Sequence, residues 1–300
     1  MLDKMSGAVD IAGATAQVLL AFAAEEHHTS VDNLLTALQE MGRELLTAQS
    51  GMASLISLFN RAFFAASGEA DPEAAVSRLC KAVEAFQAEQ QVDRETLSRK
   101  ATALLPVEVS ILTHSASSTV FRTILRAKQI GRRPRVYCLE SRPLYEGRNL
   151  AMGLAENGID VTLCVDSAVY SNLKDTELVL VGADSLAEEG VVAKVGTAGL
   201  AVCAQSLGIP CYVLADSTKI WPASLGEQPL HERAPADVWA DAPDGVRVQN
   251  RFYDVTPWQA VAGVITEHGL FTANEIRTQS RARTVHRLLQ NIIAEVRSTI

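Results

Sequence analysis

From residue 107 onward the chain repeats one pattern: a short apolar run, a polar turn, then a segment of helical period. Residues 107–112 form the first run. Thr113-His-Ser-Ala-Ser-Ser118 follows, then a helical stretch carrying Val120, Phe121, Ile124, Leu125 and Ala127, closed by Gly131. The runs at 135–139, 161–165, 178–181 and 211–215 continue the series, with helical segments at 146–156 and 197–207 and a short one at 168–170. Strands that are apolar throughout need cover on both faces, so the alternation predicts an α/β fold with a parallel sheet between helices. Ligands of such sheets lie beyond the carboxyl ends of the strands.

Upstream of residue 105 the pattern is helical. Val18, Leu19, Phe22 and Ala23 share one face, and Leu34, Leu35, Leu38 and Met41 another. Leu55, Leu58, Phe59, Phe63 and Phe64 continue it. Asp71-Pro72-Glu73 reads as an N-cap with proline in the first turn of a helix carrying Ala75, Leu79, Val83 and Phe86. The expected organisation is a helical N-terminal domain over 1–104 and a parallel-sheet domain over 105–300.

Charge and cysteine usage narrow the function classes. A net charge of −8, without a basic run, argues against a nucleic-acid partner. The five cysteines form no C-x-x-C pair, and Cys138, Cys164 and Cys211 lie in apolar runs, as small hydrophobes do in a reducing cytoplasm. Asp3, Asp10 and the helical pattern beyond them contradict a cleavable leader. Residues 11–24 are too short for a membrane span and end at Glu25-Glu26. His27 and His28 are adjacent on the helical segment and read as exposed. No metal or cofactor is expected, since neither ligand spacing nor a G-x-G-x-x-G or Walker sequence is present.

The polar residues of interest fall just past strand ends. Val181-Gly-Ala-Asp184 brings a carboxylate to the sheet rim, where it reads either as a partly buried base or as a structural helix cap. Lys194, ahead of Gly196-Thr197 at a helix start, forms a candidate anion site. Thr113, His114, Ser115 and Ser117 belong to a loop that suits a phosphate, or in which Ser117 or Ser118 simply caps the next helix. Arg142, held out of helical conformation by Pro143, offers a bidentate fork for phosphate or a salt bridge to Glu140 or Glu146. Residues 224–246, rich in proline and acidic residues, read as a loop over or near the cleft.

Together these loops resemble the initiation factor 2B alpha/beta/delta family, which includes ribose-1,5-bisphosphate isomerase and methylthioribose-1-phosphate isomerase. The resemblance runs in order through Ile111-Leu-Thr-His-Ser115, Glu140-Ser-Arg-Pro143 with Glu146-Gly-Arg148, Val165-Asp-Ser-Ala168, Val181-Gly-Ala-Asp184, Lys194-Val-Gly-Thr197 and Phe252-Tyr-Asp-Val-Thr-Pro257. It implies a helical N-terminal domain on a Rossmann-like domain, a ligand in the cleft between them, and homodimers or higher oligomers, with paralogous subunits as further partners. It matches Asp184 to the isomerases' catalytic aspartate, and Arg142 and Lys194 to their phosphate-binding residues. Three departures stand out. Ser115 replaces the isomerase cysteine, Ala193 replaces the usual asparagine, and the N-terminal arginine-glycine-alanine element has Ile11-Ala-Gly-Ala14 as its nearest counterpart. The resemblance therefore supports two expectations: a protein that binds a sugar phosphate or nucleoside monophosphate without turnover, or an aldose–ketose isomerase using Asp184.

Overall fold

Four helices precede the first strand in the computed structural model, which describes residues 8–25 and 28–298. Asp3, Glu26 and His27, and the side chains of Asp10 and Glu25, lie outside the described residues. The helices are α1 (Ala8–Glu25), α2 (Val31–Ala48), α3 (Ala53–Ser67) and α4 (Pro72–Leu104). Asp71 caps α4, its carboxylate accepting the Ala74 amide at 2.8 Å, with Pro72 in the first turn. At 33 residues α4 is about 50 Å long and serves two layers. Its first half packs Leu79, Val83 and Phe86 into the helical core, and its second packs Leu97 and Ala101 against the sheet. His28 is not exposed as expected: its ring lies partly buried, 5.2 Å from that of Phe22.

The α/β part contains β1 (Glu108–His114), α5 (Ser118–Gln129), β2 (Arg133–Leu139), α6 (Glu146–Glu156), β3 (Asp160–Cys164), α7 (Val169–Leu173), β4 (Leu178–Gly182), β5 (Ser185–Leu186), β6 (Gly190–Lys194), α8 (Thr197–Ser206) and β7 (Cys211–Leu214). After a long irregular segment come β8 (Tyr253–Pro257), β9 (Gly263–Thr266), β10 (Gly269–Phe271), α9 (Ala273–Ala282) and α10 (Arg287–Ser298).

The main sheet has seven strands in the order β10-β9-β7-β4-β1-β2-β3, parallel except for β10. From β3 to β9 this is the doubly wound order, whose switch point falls between β1 and β4. Ile111, Leu112, Val136, Val179, Leu180 and Val213 are essentially inaccessible, as both-face cover requires. The helical part draws in the far end of the chain: Leu289, Ile292 and Ile293 of α10 join the same apolar cluster as Leu38, Phe59 and Phe63. A second, antiparallel sheet, β5-β6-β8, leaves the end of β4 and sets Lys194 opposite Tyr253 and Ala193 opposite Asp254. Among the described residues no helix is long and apolar enough to cross a membrane.

Candidate functional site

The loops after β1, β2, β4 and β6 meet at the switch point, and their contacts are tight. A Cβ on Gly182 would sit 2.5 Å from the Ser117 hydroxyl. A Cβ on Gly147 would sit 1.8 Å from the Leu139 carbonyl oxygen, so glycine there lets α6 press against the end of β2. Glu146 thereby enters the interior, where it is 7% exposed. Ser115, Ser141 and Tyr145 all have φ between 60° and 65°, a left-handed conformation that non-glycine residues adopt at some energetic cost. Hydrogen bonds hold this backbone: the Ser115 amide donates to Ser141 Oγ, and the Ser141 and Arg142 amides donate to Asp166, each at 2.7 Å.

His114 is a tether between loops. Its Nε2 lies 2.8 Å from the Val195 carbonyl and its Nδ1 3.1 Å from Ser141 Oγ, so the geometry calls for the Nε2–H tautomer. Burial lowers its pKa and keeps the ring neutral, against the opposing pull of the Val195 carbonyl and Asp166. Ser117 caps α5 by accepting the Val120 amide. Thr113 is buried, its hydroxyl without a hydrogen-bond partner among the described residues. Ser115 is half-buried.

Asp184 sits just past β4. Its amide donates to the Val192 carbonyl at 2.9 Å, and its own carbonyl accepts the Ala53 amide at the start of α3 at 3.2 Å. Burial raises its carboxyl pKa; Lys219, Arg233 and Lys194 pull the other way without overcoming it. Lys219 is 5% exposed and donates to the Ala183 carbonyl at 2.6 Å.

The two cations singled out in the sequence are already engaged. Lys194 Nζ is 2.6 Å from Glu146 Oε1 and 3.7 Å from the centre of the Phe252 ring. Burial lowers its pKa, and Glu146 opposes that shift. Among the described residues the other Glu146 oxygen has no hydrogen-bond partner. Arg142 donates to Tyr145 Oη and to the Val238 carbonyl, both at 2.7 Å. Glu140 pairs instead with Arg148, at 2.7 Å.

At the start of α8 the Asp254 carboxylate fills the expected anion position. It accepts the Gly196 amide at 2.7 Å and the Ala198 amide at 3.2 Å, while Thr197 Oγ1 turns back to the Lys194 carbonyl. Desolvation pushes the Asp254 pKa up to about 6, beyond what the two amide bonds recover. Between about pH 4 and 6 the folded protein therefore holds a proton that the unfolded chain has released, and stability falls as pH rises through that window. Asp254→Asn is expected to flatten the fall, on the order of 3 kcal/mol, in urea titrations from pH 4 to 7.

Several site residues carried no clear signal in the sequence. Lys219 lies past the end of β7, where the strand-end rule would have found it. Asp254 lies in the Phe252–Pro257 motif, which gave it no role, and comes into place through the β6–β8 register. Arg233 comes from the irregular segment between Leu225 and Tyr253. A groove of about 580 Å³ lies at the opposite, amino-terminal end of the strands; two of its arginines pair with carboxylates, Arg133 with Glu108 and Arg135 with Asp160, and none of the motif residues lines it. Among the described residues no group of His, Cys, Asp and Glu is arranged to hold a metal.

A doubly wound sheet under a helical layer, with Asp184 and Lys194 beyond the strand ends near its switch point, defines an α/β protein of Rossmann-like topology. Residues 4–273 match the Initiation factor 2 subunit family, and the chain belongs to that family. It is similar to a ribose 1,5-bisphosphate isomerase of Methanocaldococcus jannaschii, 30% identical over 273 residues covering 89% of this chain and 87% of the relative. It is also similar to a methylthioribose-1-phosphate isomerase of Geobacillus thermodenitrificans, 34% identical over 287 residues covering 89% and 81%. The crystal structure of the translation initiation factor eIF-2B of Pyrococcus horikoshii OT3 superposes with a TM-score of 0.79 at 30% identity, covering 90% of this chain and 93% of that one.

Proposed function

We propose that the switch-point cleft binds a sugar phosphate or nucleoside monophosphate and holds it without turnover. The observation that carries this reading is Ser115, which stands in the loop where the resemblance places the isomerase cysteine. A hydroxyl is a far weaker acid than a thiol near neutral pH and does not supply that half of a proton-moving pair. The protein acts in this reading as a homodimer or higher assembly, alone or with paralogous subunits, in the cytoplasm, a location consistent with its five free cysteines.

Asp184 favours a second reading, an aldose–ketose isomerase. A carboxyl group raised by burial and ringed by cations is poised to move a proton. Purified protein is to be titrated calorimetrically with ribose 1,5-bisphosphate, methylthioribose 1-phosphate and AMP, and each mixture followed by NMR for ketose. Saturable binding with no ketose is the expected result. Ketose formation above the protein-free rate overturns the first reading in favour of the second.

A further inference from the structure

The groove at the amino-terminal end of the strands, about 580 Å³, has the size of a small-molecule site and lies away from the cleft discussed above. Glu108 and His114 stand at opposite ends of β1, about 20 Å apart at about 3.3 Å per residue. Four cations, Lys128, Arg132, Arg133 and Arg135, and three carboxylates, Glu108, Asp160 and Glu177, line the groove. Their charges are unequally spent. Arg133 pairs with Glu108, and Arg135 with Asp160 at 3.4 Å. Glu177 accepts the Ser110 amide at 2.7 Å and the Ser110 hydroxyl at 3.1 Å, both through Oε2. The carbonyl end of α6 opens on this side, and Lys128 answers it by donating to the Asn157 and Gly158 carbonyls at 2.7 and 2.6 Å. That leaves Lys128 one N–H.

Arg132 differs. It follows Gly131, whose φ of 85° closes α5, and its amide bonds back to the Ala127 carbonyl at 2.9 Å. Its guanidinium has no hydrogen bond or ion pair among the described residues. The Nε is shut off from solvent, so Nη1 and Nη2 are the nitrogens left open at the groove. A charge and a buried N–H without partners cost free energy that no internal contact recovers. A terminal edge with two free nitrogens matches two oxygens of a phosphate, and the spare Lys128 N–H adds a point charge. We infer that this groove is a second ligand site, which takes a small hydroxylated phosphate monoester with its phosphate on the Nη1–Nη2 edge of Arg132 beside Lys128. Two cations without counter-ions match a dianionic phosphate better than a singly charged carboxylate. Glu177 Oε1, which has no donor among the described residues, accepts a ligand hydroxyl. The inference does not rest on the reading of the cleft, since no cleft residue lines the groove.

The test is calorimetric titration of the full chain with ribose 5-phosphate, gluconate and unphosphorylated ribose. Wild type is expected to bind the ester in the groove, separately from any binding in the cleft, and to bind gluconate and ribose more weakly. Arg132→Gln should weaken the groove event about ten- to a hundredfold. Arg132→Lys, which keeps the charge and loses the fork, should weaken it less. Glu108→Gln combined with Arg133→Gln removes only a satisfied pair and should leave binding within about threefold. Glu146→Leu combined with Lys194→Met, which strips a charge pair from the cleft, should keep the Arg132-dependent event. The Arg132 guanidinium makes no internal bond, so ligand-free Arg132→Gln should melt with wild type. If it does not fold, a loss of at least about threefold in Arg132→Lys upholds the assignment and its absence overturns it. Ester binding within twofold of wild type in Arg132→Gln overturns it and leaves the cleft reading standing. Loss of all ester binding in folded Glu146→Leu/Lys194→Met also overturns it, because the ester would then belong to the cleft. Gluconate bound as tightly as the ester overturns the choice of phosphate. If wild type binds no ribose 5-phosphate, the inference fails, and the cleft reading is decided by its own titrations.

Discussion

Glu146→Leu is expected to destabilise the protein by about 3–5 kcal/mol, and Lys194→Met added to it to restore most of that loss. The two side chains are 5% and 9% exposed and 2.6 Å apart, so neither has much water to fall back on. Removing the carboxylate leaves an ammonium with the Phe252 ring as its near neighbour, and a cation–π contact of about 1–2 kcal/mol does not replace a buried counter-ion. Burial already lowers the Lys194 pKa against the pull of Glu146. Without Glu146 the lysine has a cheaper course, which is to lose its proton, and this limits the cost at high pH. Replacing both residues by apolar ones of similar volume removes both desolvation penalties together. Urea unfolding of the two single variants and the double variant closes the cycle. A single Glu146→Leu loss below about 1 kcal/mol would show that water reaches the pair. A double variant as unstable as the sum of the singles would show that the two charges are not coupled.

Much of this architecture was legible because it depends on local pattern. Helix α6 runs over the residues read as helical, Glu146–Glu156, and α4 begins at the proline read as its first turn. The five strands read from apolar runs, β1 to β4 and β7, lie within a residue or two of them, although β3 at the sheet edge is largely exposed, and β9 and β10 were not read. The small sheet was not legible. Tyr253-Asp-Val-Thr-Pro257 acquires a strand's meaning only from its partner, sixty residues earlier in the chain. The same distance hid the chemistry. Gly196-Thr197 reads as an open anion cradle until Asp254 is brought onto it, and Lys194 reads as a free cation until α6 turns Glu146 inward. Arg233 was invisible for a different reason. It sits in a long segment without regular period, and long irregular loops place functional groups without advertising which ones.

Asp184→Asn is expected to raise the melting temperature at neutral pH, to leave phosphate-ester binding in place, and to lower any isomerase turnover by about 10²–10⁴-fold. The stability gain follows from the direction of the Asp184 shift. Burial holds the folded pKa above that of the unfolded chain, so the folded state favours the protonated acid. The stability associated with this group is complete below the unfolded pKa and is lost as pH rises through the folded one. At neutral pH the carboxylate is therefore a burden on the fold, and an amide of the same shape relieves it. Below about pH 4 both proteins carry a neutral group here, and their melting temperatures should converge. A scanning experiment from pH 4 to 8 on the two proteins reads this directly. A melting temperature lowered at neutral pH would mean that Lys219, Arg233 and Lys194 outweigh desolvation, and that Asp184 serves as their counter-ion. That outcome would also weaken the case for proton transfer, since a carboxylate held ionised by three cations is a poor base. A raised melting temperature together with lost turnover would identify Asp184 as a group kept for chemistry at the expense of the fold. A raised melting temperature with no turnover in either protein would remove the isomerase reading and leave Asp184 without a catalytic role.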